Sequence, residues 1–176
     1  MAERTISIFG TGRAQPGEPI FALAEQMGRA LAQAGFAVAN GGYGGTMLAS
    51  AKGTAEAGGT VVGVTCSAFK RSVANEYLTR EIRTTSLEER LATLVELGQG
   101  YIVLPGGTGT LLELATVWEL KHKKFLDPHK AVVLLGGFWQ PLVELMATDD
   151  PRSTERIAVV QEPAEAVACI QAALGA

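Results

Sequence analysis

Short apolar runs alternate with longer helical patterns along this chain, and this alternation restricts the fold more than any other sequence feature. The apolar runs have the length of buried strands, whereas the segments between them repeat their apolar residues near a 3.6-residue period. We therefore predict strands over 5–9, 36–39, 60–64, 81–84, 101–104, 131–135 and 157–160. Helices are predicted over 18–34, 46–57, 110–124, 140–147 and 163–173, and a loop over 69–77. A further helix starts at Ser86, which forms a capping box with Glu89. Repeated β-α units predict an α/β fold: a single Rossmann-like doubly wound parallel sheet with helices on both faces.

The length of 176 residues favours a single domain over 1–176 that buries a sizeable core. Hydrophobic residues make up 47% of the chain and charged residues 19%, which excludes disorder as its main state. The formal net charge of −3 provides no basic face, so we expect no nucleic-acid partner.

Cys66 and Cys169 lie far apart and lack ligand-spaced histidines, so neither a disulfide framework nor a zinc site is expected. The first ten residues lack the long apolar core of a signal peptide, and no stretch approaches the ~20 apolar residues of a membrane span. We therefore expect a cytoplasmic protein with no membrane partner and no bound metal.

Glycine is enriched, at 21 of 176 residues, and it clusters where predicted strands end. The clusters are Gly10-Thr11-Gly12 after the first strand, 40–47 after the second and 105–110 after the strand at 101–104. Ligands of open parallel sheets bind outside the carboxyl ends of the strands. Three such loops predict a nucleotide-sized crevice lined by Gly10, Thr11, Gly41, Gly42, Gly44, Gly45 and Met47.

The loop at 105–110 carries the most specific prediction, because it joins an apolar strand to the start of a helix. Glycines allow backbone amides to approach a ligand closely, and a helix N-terminus adds unpaired N–H donors. We predict a phosphate site formed by Gly106, Gly107, Thr108, Gly109 and Thr110. A glycine-rich turn without a ligand is the alternative. The spacing matches neither a Walker A loop nor the GxGxxG fingerprint.

Two charged residues near these loops have both functional and structural interpretations. Glu113 lies one turn past Gly109, where it either faces a ligand's sugar or stabilises the helix dipole. Arg90 either serves the crevice or is a surface residue paired with Glu88 or Glu89. The two histidines, His122 and His129, have no partners that would form a Ser/His triad.

Pro105–Glu113 reads PGGTGTLLE and completely matches the pattern P-G-G-x-G-T-x-x-E. This pattern is the motif of the LOG family, the cytokinin riboside 5′-monophosphate phosphoribohydrolases, which this chain resembles. Gly41–Ala49 matches the family's G-G-x-x-G-x-M-x-A loop, and Glu89-Arg90 matches its upstream E-R pair. The order and spacing agree over residues 4–145.

The resemblance implies a cofactor-independent enzyme, usually a homodimer, that hydrolyses the N-glycosidic bond of a nucleoside 5′-monophosphate. The products would be ribose 5-phosphate and adenine or an N6-substituted adenine. Carried over residue by residue, Gly106, Gly107, Gly109 and Thr110 bind the phosphate, while Arg90 and Glu113 are the catalytic pair. Whether Glu113 stabilises an oxocarbenium ion, binds ribose hydroxyls or orients water stays open.

A binding protein of the same fold is the competing function, because molybdenum-cofactor carriers resemble this fold and its glycine loops. Leu48, Leu91 and Leu112 replace the charged residues that many family members have at these positions. The helix at 110–124 carries Leu114, Val117 and Trp118 and is followed by Phe125, which together are more apolar bulk than one sheet-facing stripe needs. We expect part of it in a homodimer interface, with Trp118 as a core residue the alternative.

Overall fold

The computed structural model of the protein describes residues 4–70 and 73–175. Within these residues, seven parallel strands form one sheet in the order β4-β3-β2-β1-β5-β6-β7. The strands are β1 (Thr5–Phe9), β2 (Ala37–Asn40), β3 (Val61–Cys66), β4 (Arg80–Thr84), β5 (Tyr101–Val103), β6 (Val132–Leu135) and β7 (Ile157–Val160). The helices are α1 (Pro19–Gln33), α2 (Thr46–Glu56), α3 (Leu87–Leu97), α4 (Thr108–His122), α5 (Gln140–Asp149), α6 (Pro151–Thr154) and α7 (Pro163–Leu174).

Two apolar layers, one on each face of the sheet, confirm the predicted doubly wound architecture. Ile6 and Ile8 of β1 pack with Met27 of α1 and Ile170 of α7. Side chains from α3, α4 and the start of α5 fill the other layer, which includes Leu94, Leu114 and Trp139. Alternate residues of each strand supply the two layers, because successive side chains point to opposite faces.

The order in which the chain adds strands reverses at β1, which pairs with β2 on one side and with β5 on the other. The connections that leave β1 and β5 run to opposite faces, so a crevice opens between their carboxyl ends. The loops after Phe9 and Val103 therefore lie at the position where a sheet of this type binds its ligand.

The element boundaries agree closely with the predicted ones, with two informative differences. Helix α4 begins at Thr108 rather than Thr110, so Thr108, Gly109 and Thr110 form its first turn. The short helix α6 was missed; the Asp150 side chain caps it by accepting from the Arg152 amide. The predicted loop at 69–77 is irregular in its described part, and residues 71 and 72 lie outside the described ranges.

The apolar bulk of α4 belongs mainly to the core of this chain. Leu114 and Val117 are fully buried, and the Trp118 indole N–H donates to the Ser153 carbonyl at 2.9 Å. The alternative that Trp118 is a core residue is therefore confirmed. Of the four residues that suggested a dimer surface, Phe125 alone stays exposed.

Across the described ranges, the helices are too short or too polar for any of them to span a membrane.

Candidate functional site

The main chain of Thr11 joins the three glycine-rich loops at the carboxyl edge of the sheet. Its amide donates to the Pro105 carbonyl at 3.2 Å, and its own carbonyl accepts from the Thr46 amide at 2.8 Å and the Thr46 hydroxyl at 3.1 Å. Thr46 is the first residue of α2, so the first amide of that helix is already used inside the protein. The loops thus meet as predicted, and one of their expected free donors is occupied.

In the loop at 41–45, which we call the packed loop, two glycines are required by the backbone and a third packs against the Arg90 side chain. Gly42 and Gly45 have φ values of +75° and +66°, in the left-handed region that L side chains rarely adopt. A Cβ at Gly45 would also collide with the Thr11 carbonyl and the Gly12 backbone. A Cβ at Gly41 would collide with the Arg90 guanidinium.

The loop at 105–107 and the first turn of α4, which we call the open loop, have glycines that the fold does not require. Neither Gly107 nor Gly109 has a positive φ, and a Cβ built on either would meet nothing within 4 Å. Over residues 4–70 and 73–175, no protein group accepts a hydrogen bond from the amides of 106–110. Amides without a protein partner at a helix N-terminus are the arrangement that binds anions.

The two threonines of the open loop are placed differently. Thr108 is exposed beside the unpaired amides. Thr110 is buried, and its side chain lies against Gly106, where it occupies the space that a Cβ at Gly106 would need. Gly106 is therefore fixed by packing. The Thr110 hydroxyl is less accessible to a ligand than the sequence suggested.

Arg90 lies inside the crevice, and its interpretation as a surface residue is wrong. Its exposure is 8%, and its Nε donates to the carbonyl of Val64 in β3 at 2.8 Å. Glu89, its expected surface partner, instead accepts from the amide and the hydroxyl of Thr85. The capping interaction of α3 is present, because the Ser86 hydroxyl accepts from the Glu89 amide.

Glu113 faces Arg90, with 3.8 Å between its Oε1 and the Arg90 Nη1. Burial raises the pKa of Glu113 to about 7, and the nearby positive charge of Arg90 opposes this rise. Glu113 lies beyond the first turn of α4 and is destabilised as an anion, so the helix-dipole interpretation is wrong. A perturbed carboxyl group beside a buried cation, near unpaired amides, has the properties of a functional site.

Sequence reasoning missed two aromatic residues of this site, Tyr43 and Phe69. The Arg90 guanidinium carbon lies 5.7 Å from the centroid of each ring. Their positions after the carboxyl ends of β2 and β3 could have suggested a role, but neither has a recognisable spacing to Arg90. Met47, predicted to bind nucleotide, also contacts this group, with its sulfur 3.8 Å from the Arg90 Nη2.

Of the remaining predicted residues, Gly44 is exposed and its missing side chain leaves room beside the Gly12 carbonyl. Gly10 is fixed by packing, since a Cβ there would lie 2.5 Å from the Thr46 hydroxyl oxygen. In the described part of the chain, no three or more His, Cys, Asp or Glu residues are grouped as metal ligands would be. A separate groove of about 400 Å³ lies between α4, α5 and α6, and it includes neither Arg90 nor Glu113.

Comparisons with known proteins agree with this geometry at the family level. The model of the SLOG cluster4 family matches residues 3–167. The chain is 32% identical to a protein named cytokinin riboside 5′-monophosphate phosphoribohydrolase from Rhodococcoides fascians, with 96% of this chain and 89% of that protein covered. A protein of the same name from Mycobacterium tuberculosis is 31% identical over 66% of this chain and 62% of its own length.

Solved structures with the same fold include proteins that are named for binding or carrying the molybdenum cofactor. A molybdenum cofactor binding protein from Rippkaea orientalis superposes with a TM-score of 0.80 at 24% identity, covering 98% of both chains. The molybdenum cofactor carrier protein of Chlamydomonas reinhardtii has a TM-score of 0.77 at 24% identity, covering 99% of this chain and all of that one. At these identities the likeness shows the fold alone. The family match and the phosphoribohydrolase relatives confirm the resemblance to LOG proteins, and the chain belongs to the SLOG cluster4 family.

Proposed function

We propose that the protein hydrolyses the N-glycosidic bond of a nucleoside 5′-monophosphate, AMP or an N6-substituted AMP. The single observation that carries the proposal is the buried Arg90–Glu113 pair near the unpaired amides of the open loop. The names of its relatives from two bacteria support the same reaction. This reaction needs an anion site and a nearby group that stabilises positive charge, and the crevice contains candidates for both.

The roles of the residues follow from the charge that develops during this reaction. The amides of 106–110 hold the 5′-phosphate, with Thr108 as an added hydroxyl donor. As the bond from C1′ to the base nitrogen breaks, its electron pair leaves with the base and the ribose gains oxocarbenium character. The Glu113 carboxylate stabilises that charge. Water supplies the oxygen that bonds C1′, and its proton goes to the departing base.

Arg90 favours the ionised form of Glu113 that this role needs. Because burial favours the protonated acid, a fixed positive charge 3.8 Å away is needed to favour the carboxylate. We expect the reaction rate to rise with pH through the region near 7, as Glu113 ionises.

The direct test is incubation of the purified protein with AMP, followed by chromatography for free adenine and ribose 5-phosphate. The proposal predicts stoichiometric release of both products, strongly reduced in Glu113→Gln. The matched control is Glu119→Gln, which removes an exposed carboxylate from the same helix and is expected to leave the rate unchanged. Absence of adenine release from AMP and from N6-substituted AMP contradicts the proposal.

Carriage of a phosphorylated ligand, such as a molybdopterin cofactor, is the second candidate function. The shared fold of the molybdenum cofactor binding protein and the molybdenum cofactor carrier protein favours it, as do the three leucines at 48, 91 and 112. Under this alternative, Arg90 and Glu113 contact the ligand without catalysing a reaction. Mass spectrometry of the supernatant from acid-denatured protein tests it, since a carrier releases a stoichiometric phosphorylated compound.

We also propose that the protein forms a homodimer through the exposed apolar residues of α4 and α5. Leu111, Leu112, Leu145 and Met146 are 38–58% exposed, although each is a large apolar side chain. Light scattering at micromolar concentration tests this assembly. The variant Leu145→Glu is expected to shift the mass towards the monomer, and a monomeric mass for the unaltered protein contradicts the proposal.

A further inference from the structure

Two aromatic rings from different loops pack against the Arg90 guanidinium. Tyr43 belongs to the packed loop, and Phe69 belongs to the segment that follows β3. Each ring centroid lies 5.7 Å from the Arg90 guanidinium carbon, and the two centroids lie 6.0 Å apart at an interplanar angle of 55°. These distances lie within the range over which a cation is attracted to the face of an aromatic ring.

The Tyr43 ring is fixed at both of its ends. Its hydroxyl accepts from the Cys66 amide at 2.7 Å and donates to the Cys66 carbonyl at 3.2 Å. Its main-chain carbonyl accepts from the Asn75 side-chain amide at 3.0 Å, and the Asn75 main-chain amide donates to Gly42 at 2.8 Å. Phe69 rests against this fixed ring and is about one-third exposed at the rim of the site.

The hydrogen bonds of Arg90 fix only one edge of its guanidinium. The Nε bond to Val64 fixes one edge of the guanidinium. Nη1 lies 3.8 Å from Glu113, which is too long for a strong hydrogen bond, and Nη2 has the weak acceptor Met47 as its hydrogen-bond partner in the described ranges. A mostly buried cation with so few acceptors needs another source of stabilisation.

We propose that Tyr43 and Phe69 are positioning residues that hold the Arg90 guanidinium opposite Glu113. The inference rests on the proposed function for its effect on catalysis, while the placement of the charge can be measured without any reaction. Tyr43 acts through its tether to Cys66, and Phe69 closes the outer side of the guanidinium. Loss of either ring lets the positive charge move away from the carboxyl group.

The test is the titration of Glu113 by NMR in protein labelled with ¹³C at the glutamate carboxyl carbons, its resonance assigned by its absence in Glu113→Gln. Burial raises the pKa of Glu113, and the Arg90 charge lowers it. A guanidinium that moves away lowers this pKa less, so the pKa rises. Phe69→Leu and Tyr43→Leu should therefore each move the titration midpoint upward. Phe69→Trp, which retains an aromatic face, should restore it.

Arg90→Ala supplies the decisive comparison. In that background the aromatic variants have no charge to position, so neither should change the Glu113 midpoint further. A ring that only supported the loop would leave the midpoint unmoved with Arg90 present. Unchanged midpoints in folded Phe69→Leu and Tyr43→Leu, or equal shifts with and without Arg90, overturn the proposal.

Hydrolysis of AMP provides the second measurement. Each leucine variant should lower kcat by about two- to thirtyfold, the range expected for a cation–aromatic contact. The control is Phe125→Leu, the same change on an exposed ring just past the opposite end of α4, which should leave both kcat and the midpoint unchanged. If the unaltered protein hydrolyses no AMP while the midpoints shift as expected, the proposed reaction fails and the positioning role stands.

Discussion

The packed loop and the open loop have similar compositions, but their glycines are there for different physical reasons. Gly42 and Gly45 are required by positive φ values, and Gly41 packs against the Arg90 guanidinium. Gly107 and Gly109 have ordinary φ values and open space where a side chain would be. A glycine that the fold does not require has to be explained by something outside the chain, and a ligand approaching the backbone is the simplest explanation.

The largest expected effect tests the Arg90–Glu113 pair. Arg90 lies against the packed loop, and Glu113 follows the open loop in α4. Glu113→Gln keeps the shape of the side chain and removes its charge, so it should lower kcat by about 10²–10³, or ~2.7–4 kcal/mol, while the ligand still binds. Arg90→Ala should cost a similar amount. Steady-state kinetics of the double variant sharpen the comparison: if the two residues act as one unit, it is hardly slower than either single variant.

Alanine substitutions separate the two loops by stability. Gly45→Ala places a Cβ into the Thr11 carbonyl at an unfavourable φ, and should lower the free energy of unfolding by roughly 3 kcal/mol or more. Gly109→Ala fills open space in the first turn of a helix and should raise it by about 0.5–1 kcal/mol. Urea unfolding measures both. Equal destabilisation by the two substitutions would remove the distinction between the loops.

A charge at Gly107 tests whether the open loop binds an anion. Gly107→Asp is expected to fold normally, because Asp is a favourable N-cap residue. It should weaken AMP binding by roughly 1–4 kcal/mol through repulsion of the phosphate. Calorimetry measures the affinity, with Gly107→Asn as the matched neutral control. An unchanged affinity in folded Gly107→Asp excludes this turn as the phosphate site.

The pH dependence of stability tests the burial of Glu113. The folded-state pKa of Glu113, about 7, lies above the ordinary value of 4.5. Between these two pH values Glu113 keeps its proton in the native state and loses it in the unfolded state. The free energy of unfolding therefore falls as pH rises through this window. Glu113→Gln has no such loss. Chemical unfolding should show that this variant matches the unaltered protein near about pH 4 and exceeds its free energy of unfolding by about 3 kcal/mol above about pH 8.

The layered fold could be predicted from the sequence because its signals are local. Buried strands such as Tyr101–Val103 are uninterrupted apolar runs, and the helices between them keep their own period. The short helix α6 was missed because its four residues are too few to show a period. The start of α4 was placed two residues late because Gly109 is a poor helix former within its first turn.

The candidate site was predictable only where a spacing carried it. The motif from Pro105 to Glu113 identified the open loop, whereas the surface interpretation of Arg90 followed from neighbouring acids in the sequence. Its actual partners, Val64, Tyr43 and Phe69, come from distant segments that only the folded sheet brings together. The same holds for Glu113, whose raised pKa depends on burial that no local pattern reveals.

The junction at Thr11 has a consequence for how sequences of this type can change. Its bonds to Pro105 and to the Thr46 amide use only peptide groups, which every amino acid except proline supplies. Substitutions at position 11 can therefore alter what the crevice presents to a ligand and leave the mutual placement of the loops intact. We therefore predict that substitutions at this position change the ligand preference independently of the framework that holds the loops together.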